Sequence, residues 1–139
     1  MEARDLSFDE IKVGDTASFE RTVSVNDIDT FAELSGDNNP LHMDEAYAAS
    51  TQFGKRVVHG MLLGALTSTL LGMYLPGKRC LYLSEKLTFK KPCFIGDSIS
   101  VHGKVTHKST TMHTLIIGIS IRRGDEELVS GEAVAQVLK

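Results

Sequence analysis

A chain of 139 residues with 42% hydrophobic and 24% charged side chains has the size and composition of one globular domain. Its 15 Lys and Arg against 18 Asp and Glu give a net charge of −3, which argues against a nucleic-acid-binding protein. The opening run MEARDLSFDEIKVGD lacks the apolar region of a signal peptide, and Cys80 and Cys93 match no metal-binding spacing. We therefore expect one domain, 1–139, in the cytoplasm, or in the mitochondrial matrix if a transit peptide has been removed.

The first half of the chain predicts one strand followed by short helices. Ser24 or Asn26 can cap the first helix, and Gly36 is a typical helix-ending residue. The segment SGDNNP that follows is rich in turn-forming residues, and Asp44 is the expected cap of the second helix. The predicted elements are a strand over Thr16–Val25 and helices over Asp27–Leu34 and Asp44–Ser50.

A long apolar helix is predicted at the centre of the chain, from Gly60 to Tyr74, and Pro76-Gly77 ends it. Its run VVHGMLLGALTSTLLGMYL approaches the about 20 residues that cross a bilayer. His, Gly, Ser and Thr interrupt the run, however, and polar chain follows it directly. The pattern therefore favours a core helix, buried on most sides, over a membrane span.

Strand-like segments fill the remainder of the chain. They cover Cys80–Lys90, Ser98–His107, Met112–Arg122 and Leu128–Leu138. This order of elements predicts an α+β fold in which an antiparallel sheet wraps around the long central helix. One sheet of this size leaves part of the apolar helix uncovered, so we expect a second copy of the chain to cover it in a homodimer.

The segment SGDNNPLHMD places Asp37 and His42 on either side of Pro40. In isolation, an acid and a histidine at this spacing are most often an Asx turn and a packed ring. Here Pro40 fixes its own φ and pushes Asn39 towards extended backbone, which stiffens the chain segment between Asp37 and His42. A carboxylate and a neutral imidazole held around one water form a good acid–base pair, so we predict that chemistry for Asp37 and His42.

The run from Phe31 to Gly72, FAELSGDNNPLHMDEAYAASTQFGKRVVHGMLLGALTSTLLG, resembles the hydratase signature of the MaoC-like branch of the hot-dog fold. It is more closely similar to the bacterial (R)-specific enoyl-CoA hydratases that supply polyhydroxyalkanoate synthesis, and also to the mitochondrial 3-hydroxyacyl-thioester dehydratases. The resemblance continues through PGK and FKKPCFIGD. It implies a single hot-dog domain with a helical overhang, about Asp27–Lys55, that carries the acid and the histidine.

The same resemblance implies an activity. This is the reversible hydration of trans-2-enoyl-CoA to (R)-3-hydroxyacyl-CoA, without a metal or another cofactor. Asp37 and His42 would activate water, and the N–H of Gly60 would polarise the thioester carbonyl. Gly60 also suits that role on physical grounds, because glycine admits a close approach and a helix N-terminus presents unpaired N–H groups. The handle is CoA or an acyl-carrier protein, the latter as in a 3-hydroxyacyl-ACP dehydratase of fatty-acid synthesis.

Four further residues complete the predicted site. Ser68 is a supporting residue, because the matching serine lies near the acid–histidine pair in the family. Asn39 either orients one member of that pair or is only a turn residue before proline. Lys55 and Arg56 are the favoured CoA-binding cations, because their loop leads into the start of the central helix. Two other basic pairs are the alternatives, Lys78-Arg79 and Lys90-Lys91.

Rival interpretations remain at this point. A hot-dog thioesterase places a carboxylate on or near the central helix, yet 59–75 contains no Asp or Glu. The short-chain dehydratases of fatty-acid synthesis use a histidine in a Pro-rich segment and an acid on the helix, an arrangement that this chain lacks. A non-catalytic acyl-thioester-binding module would not need both Asp37 and His42. His59 is interpreted as structural, and three other histidines as surface residues: His102, His107 and His113.

Overall fold

The computed structural model describes residues 1–139, and its strands and helices follow the predicted order. The strands are β1 (Thr16–Thr22), β2 (Cys80–Phe89), β3 (Ser98–Ser109), β4 (Thr114–Arg123) and β5 (Glu126–Val137). The helices are α1 (Val25–Ser35), α2 (Pro40–Met43), α3 (Glu45–Ser50) and α4 (Gly60–Thr69), and α4 continues into a π-helical turn over Leu70–Tyr74. All strand pairs are antiparallel in the order β1-β3-β4-β5-β2, so the predicted α+β class is confirmed.

Helix α4 and its π turn pack against the inner face of the sheet. Leu63, Leu66, Leu70 and Leu71 are each at most 8% exposed and belong to the hydrophobic core. A glycine on β3 permits the close contact, because a Cβ on Gly103 would lie 2.8 Å from Leu70 Cδ2. None of the helices combines the length and the apolar character that crossing a bilayer requires.

The central helix is continuous from Gly60 to Tyr74, as predicted, but its last turn is π rather than α. The N–H of Leu75 donates to the Leu70 carbonyl at 3.0 Å, and the N–H of Gly77 donates to the Leu71 carbonyl at 2.8 Å. Pro76 lies between these two donors and has no N–H of its own. The last carbonyls therefore bond to donors further along the chain than an α-helix would use.

The segment predicted as a turn before Asp44 contains a short helix, α2. Pro40 occupies its first position, where a missing N–H costs nothing, and Asn39 Oδ1 accepts the Leu41 N–H at 3.0 Å. Asn and Pro favour both turns and helix starts. The sequence pattern therefore indicated the turn and missed the helical turn that follows it.

Strand β2 forms one edge of the sheet and leaves apolar side chains exposed. Leu81, Leu83 and Phe89 are 46%, 50% and 48% exposed, and Met61 on the neighbouring α4 is 61% exposed. The pairing of β2 with β5 is irregular at Leu83. An unpaired edge strand with exposed apolar side chains is a ready surface for pairing with another chain.

Candidate active site

Helix α1 ends where the loop that carries Asp37 begins. It starts with a capping box, in which the Asp27 N–H donates to Ser24 Oγ at 3.1 Å and the Ser24 N–H donates to the Asp27 carboxylate at 2.9 Å. It ends at Gly36, whose φ of 80° is left-handed and whose N–H donates to the Ala32 carbonyl at 2.8 Å. The helix therefore ends at Gly36, and Asp37 is the next residue.

Asp37 forms an Asx turn and also belongs to a cluster of titratable side chains. Its Oδ1 accepts the Asn39 N–H at 3.1 Å, and its own N–H donates to Ser35 Oγ at 3.1 Å. Ligand atoms of Asp37, His42 and His59, one from each residue, all lie within 4.8 Å of one another. The Asx turn and the acid–histidine pair, which the sequence posed as alternatives, therefore coexist.

His42 lies on α2 with one ring nitrogen engaged. Its Nδ1 is 2.6 Å from the Val57 carbonyl oxygen. Because a carbonyl oxygen only accepts hydrogen bonds, Nδ1 carries the proton and Nε2 keeps its lone pair. The main chain of His42 is held as well, since Arg56 Nε donates to its carbonyl at 2.5 Å. The orientation of the ring is thus set, and Nε2 is left to exchange a proton with water or substrate.

His59 is the third member of the cluster and is only 1% exposed. Its Nε2 donates to the main-chain carbonyl of Asp37 at 3.0 Å, and its ring stacks on that of His42 with centroids 4.1 Å apart and planes 30° apart. The sequence interpretation left His59 out of the site; its only signal was its place directly before Gly60.

Helix α4 begins at Gly60, beside the acid–histidine pair. The N-cap residue His59 makes no side-chain capping bond, and the N–H of Gly60 has no acceptor within the protein. Gly60 and His42 line the same cavity of about 270 Å³. An unpaired N–H at the positive end of a helix dipole suits an oxygen that gains negative charge during a reaction.

Packing at Gly60 also disfavours a side chain. A Cβ at this position would lie 3.1–3.3 Å from three atoms of the Phe89 ring. Phe89 ends β2 and lies directly against the start of α4, where it forms part of the cavity wall. The sequence interpretation placed Phe89 on a strand and did not assign it to the site.

The walls of this cavity fit an acyl chain. Six of its eleven lining residues are hydrophobic, whereas a larger hollow of about 830 Å³ on the outer face of the sheet has only two among fourteen. Cys93 belongs to the wall, and burial raises the pKa of its thiol to about 12. The thiol therefore stays protonated at neutral pH and offers no thiolate nucleophile.

Residues 10–118 match the family model described as MaoC like domain. The chain belongs to the MaoC-like domain family. It is 40% identical over 134 residues to the (R)-specific enoyl-CoA hydratase of Aeromonas caviae, covering 95% of this chain and 99% of that protein. It is 37% identical over 138 residues to the 3-hydroxybutyryl-CoA dehydratase of Methylorubrum extorquens, covering 99% of this chain and 88% of that protein.

The unliganded structure of the R-hydratase PhaJ1 from Pseudomonas aeruginosa superposes with a TM-score of 0.93. The two chains are 34% identical, and the alignment covers 99% of this chain and 88% of that one. The predicted family and the predicted hot-dog fold are both confirmed by these comparisons.

In this MaoC-like domain, the two predicted supporting residues have different surroundings. Asn39 caps α2, and its Oδ1 is used by the Leu41 N–H. Ser68 is exposed on α4. Asn39 therefore shapes the chain segment between Asp37 and His42 through backbone hydrogen bonds. A direct role for Ser68 stays a prediction.

The two predicted CoA-binding cations point to different places. The side chain of Arg56 is only 10% exposed, and besides the His42 carbonyl it meets the Asp29 carboxylate at 3.5 Å. Its donors are thus engaged within the helical overhang. Lys55 is exposed, and its Nζ lies 4.4 Å from the centroid of the Phe94 ring. Of the predicted pair, Lys55 alone is free to meet a ligand phosphate.

A carboxylate does reach the central helix of this domain from the sheet. Glu85 on β2 accepts hydrogen bonds from the Tyr82 hydroxyl at 2.7 Å and from Thr67 Oγ1 on α4. The helix itself therefore has no carboxylate, since 59–75 contains no Asp or Glu, but a carboxylate of the sheet contacts it. The packing of β2 against α4 brings Glu85 to the helix. The spacing of residues along the chain did not indicate this contact.

Proposed function

We propose that this protein adds water reversibly to trans-2-enoyl-CoA and forms (R)-3-hydroxyacyl-CoA. One arrangement carries the proposal: the carboxylate of Asp37 lies in a cluster with His42, whose Nε2 is free, and His42 lines the same apolar cavity as Gly60, whose N–H is unpaired. The names of the two relatives, an enoyl-CoA hydratase and a 3-hydroxybutyryl-CoA dehydratase, describe the two directions of such a reaction.

The chemistry follows from the three groups. The thioester carbonyl accepts the Gly60 N–H, which stabilises the negative charge that its oxygen gains in an enolate-like intermediate. One member of the Asp37–His42 pair takes a proton from water as the new C3–O bond forms. The other member delivers a proton to C2, where the electron pair of the double bond has moved. A proton passed between the pair restores the starting state, and dehydration runs through the same steps in reverse.

The direct test is hydration of crotonyl-CoA, followed by the loss of enoyl absorbance. The product should be the (R) enantiomer of 3-hydroxybutyryl-CoA, resolved by chiral chromatography, and a series up to dodecenoyl-CoA would define the accepted acyl length. An (S) product would contradict the proposed stereochemistry. Release of free CoA thiol without hydration would indicate a thioesterase instead, with Glu85 as the first carboxylate to test.

The charges around the cavity mouth favour CoA as the handle over an acyl-carrier protein. Lys90 and Lys91 belong to the cavity lining, but each is paired with a glutamate, at 2.6 Å and 3.1 Å respectively. Lys55 makes no ion pair, and it approaches Phe94, the neighbour of the wall residue Cys93. One free cation suits a compact phosphate group, whereas an acidic protein surface is steered by several unpaired charges.

Replacing Lys55 by Ala should raise KM for crotonyl-CoA about two- to fivefold and leave kcat nearly unchanged, because an exposed charge contributes weak, uniform binding. The effect should shrink as salt is added. The same variant should show no defect on the N-acetylcysteamine thioester, which lacks the nucleotide. Lys104→Ala, an exposed lysine on β3, is the matched control. An equal loss on both substrates would assign Lys55 to loop structure.

We also propose that the protein works as a homodimer. The exposed apolar side chains of β2 lie beside the partly uncovered helix α4, so one partner can cover both at once. A twofold contact along an edge strand also satisfies the unpaired backbone groups of that edge in both copies. This surface supports the expectation that a second copy of the chain covers the central helix.

A further inference from the structure

We propose that His59 is a positioning residue for the acid–base pair, a role that rests on the proposed function. Its buried imidazole holds the main chain at Asp37 by a hydrogen bond and supports the ring of His42 by stacking.

The loop that carries Asp37 depends on His59 for its position. The other hydrogen bonds of residues 35–39 are all local and span at most four positions in the chain. The bond from His59 Nε2 to the Asp37 carbonyl spans 22 positions and is the only hydrogen bond that ties this loop to the rest of the molecule. The location of the carboxylate relative to the core is therefore set by the packing of α1, where Ile28 and Ala32 are buried, and by this one side-chain bond.

His42 is anchored separately, by bonds to Val57 and Arg56 that span 15 and 14 positions. The acid and the histidine thus sit on two pieces of chain with different attachments. His59 touches both, because its Nε2 faces the Asp37 carbonyl while its ring stacks on His42. Together with Asn39, whose N–H bonds to Asp37 and whose carbonyl accepts the His42 N–H, it sets the distance between the two groups.

The surroundings of His59 call for an imidazole rather than any buried side chain. Its ring stacks on that of His42 and packs at a tilt of 57° against that of Phe31, with centroids 4.1 Å and 4.8 Å away, so a flat ring suits this space. Its Nδ1 is buried without a hydrogen-bond partner, which destabilises the fold and which an apolar ring would avoid. The Nε2–H donor, which phenylalanine lacks, explains why this position carries a polar ring.

Two variants separate these contributions. His59→Phe keeps a flat ring and removes the donor, whereas His59→Gln keeps a donor and removes the ring. We expect His59→Phe to lower kcat on crotonyl-CoA about ten- to a hundredfold with KM changed less than about threefold, because a small misplacement of the carboxylate slows the chemical step. His59→Gln should recover part of this loss.

The decisive measurement repeats both substitutions in an Asp37→Asn background. Once the carboxylate is an amide, its misplacement costs little, so the kcat losses of the two sites should not add. Additive losses, or wild-type kcat in a folded His59→Phe protein, would overturn the proposal. If His59→Phe does not fold, His59→Leu, which also lacks the donor, decides by the same criterion. Normal activity of Asp37→Asn itself would instead refute the proposed function.

Discussion

Asp37→Asn and His42→Gln should each lower kcat for the hydration of crotonyl-CoA by about two to four orders of magnitude, the usual contribution of a positioned acid or base. The physical reason is that each substitution removes a group that takes or gives a proton. KM should change little, because neither group binds the CoA handle. Initial rates over a range of substrate concentrations would measure both constants.

Both variants should fold normally. The amide at position 37 keeps an acceptor for the Asn39 N–H, so the Asx turn survives, and His42 is only partly buried. Asn38→Ala is the matched control, since its amide reaches only the Gly36 carbonyl at 3.3 Å within the same loop. Its kcat should stay within about twofold of wild type. Near-normal turnover of either site variant would remove that residue from the mechanism.

Leu83→Lys should convert the protein from a dimer into a monomer at micromolar concentration. Leu83 is half exposed on the edge strand β2, so covering it contributes about half of the 1.5–3 kcal/mol that full burial of a leucine gives. Both copies of a twofold dimer lose this contribution and gain a charge to desolvate, so the dissociation constant should rise by at least about tenfold. Sedimentation velocity of wild type and variant at several concentrations measures the change.

Val13→Lys is the control for this experiment. Val13 is 59% exposed and precedes β1, which forms the opposite edge of the sheet. Its substitution should leave the dimer intact. A fully active monomeric wild-type protein would contradict the dimer proposal.

Local signals in the sequence determined much of this fold. The stop at Gly36 and the cap Asp44 were predicted, and Ser24 was one of two predicted caps, because helix ends are bonded to groups within four positions. The apolar character of the run from Gly60 to Tyr74 predicted a buried central helix. Asp37 and His42 were singled out for the same reason, since Pro40 acts on its neighbours in the chain.

Tertiary packing decided the rest of the site. His59 reaches Asp37 across 22 positions, Arg56 turns inward to His42, and Phe89 lies against Gly60. None of these contacts has a signal in residue spacing, because each depends on how the overhang, the central helix and the edge strand pack together. A hydrogen bond between neighbours is encoded by the neighbours themselves. A contact between distant segments exists only once the core has brought those segments side by side.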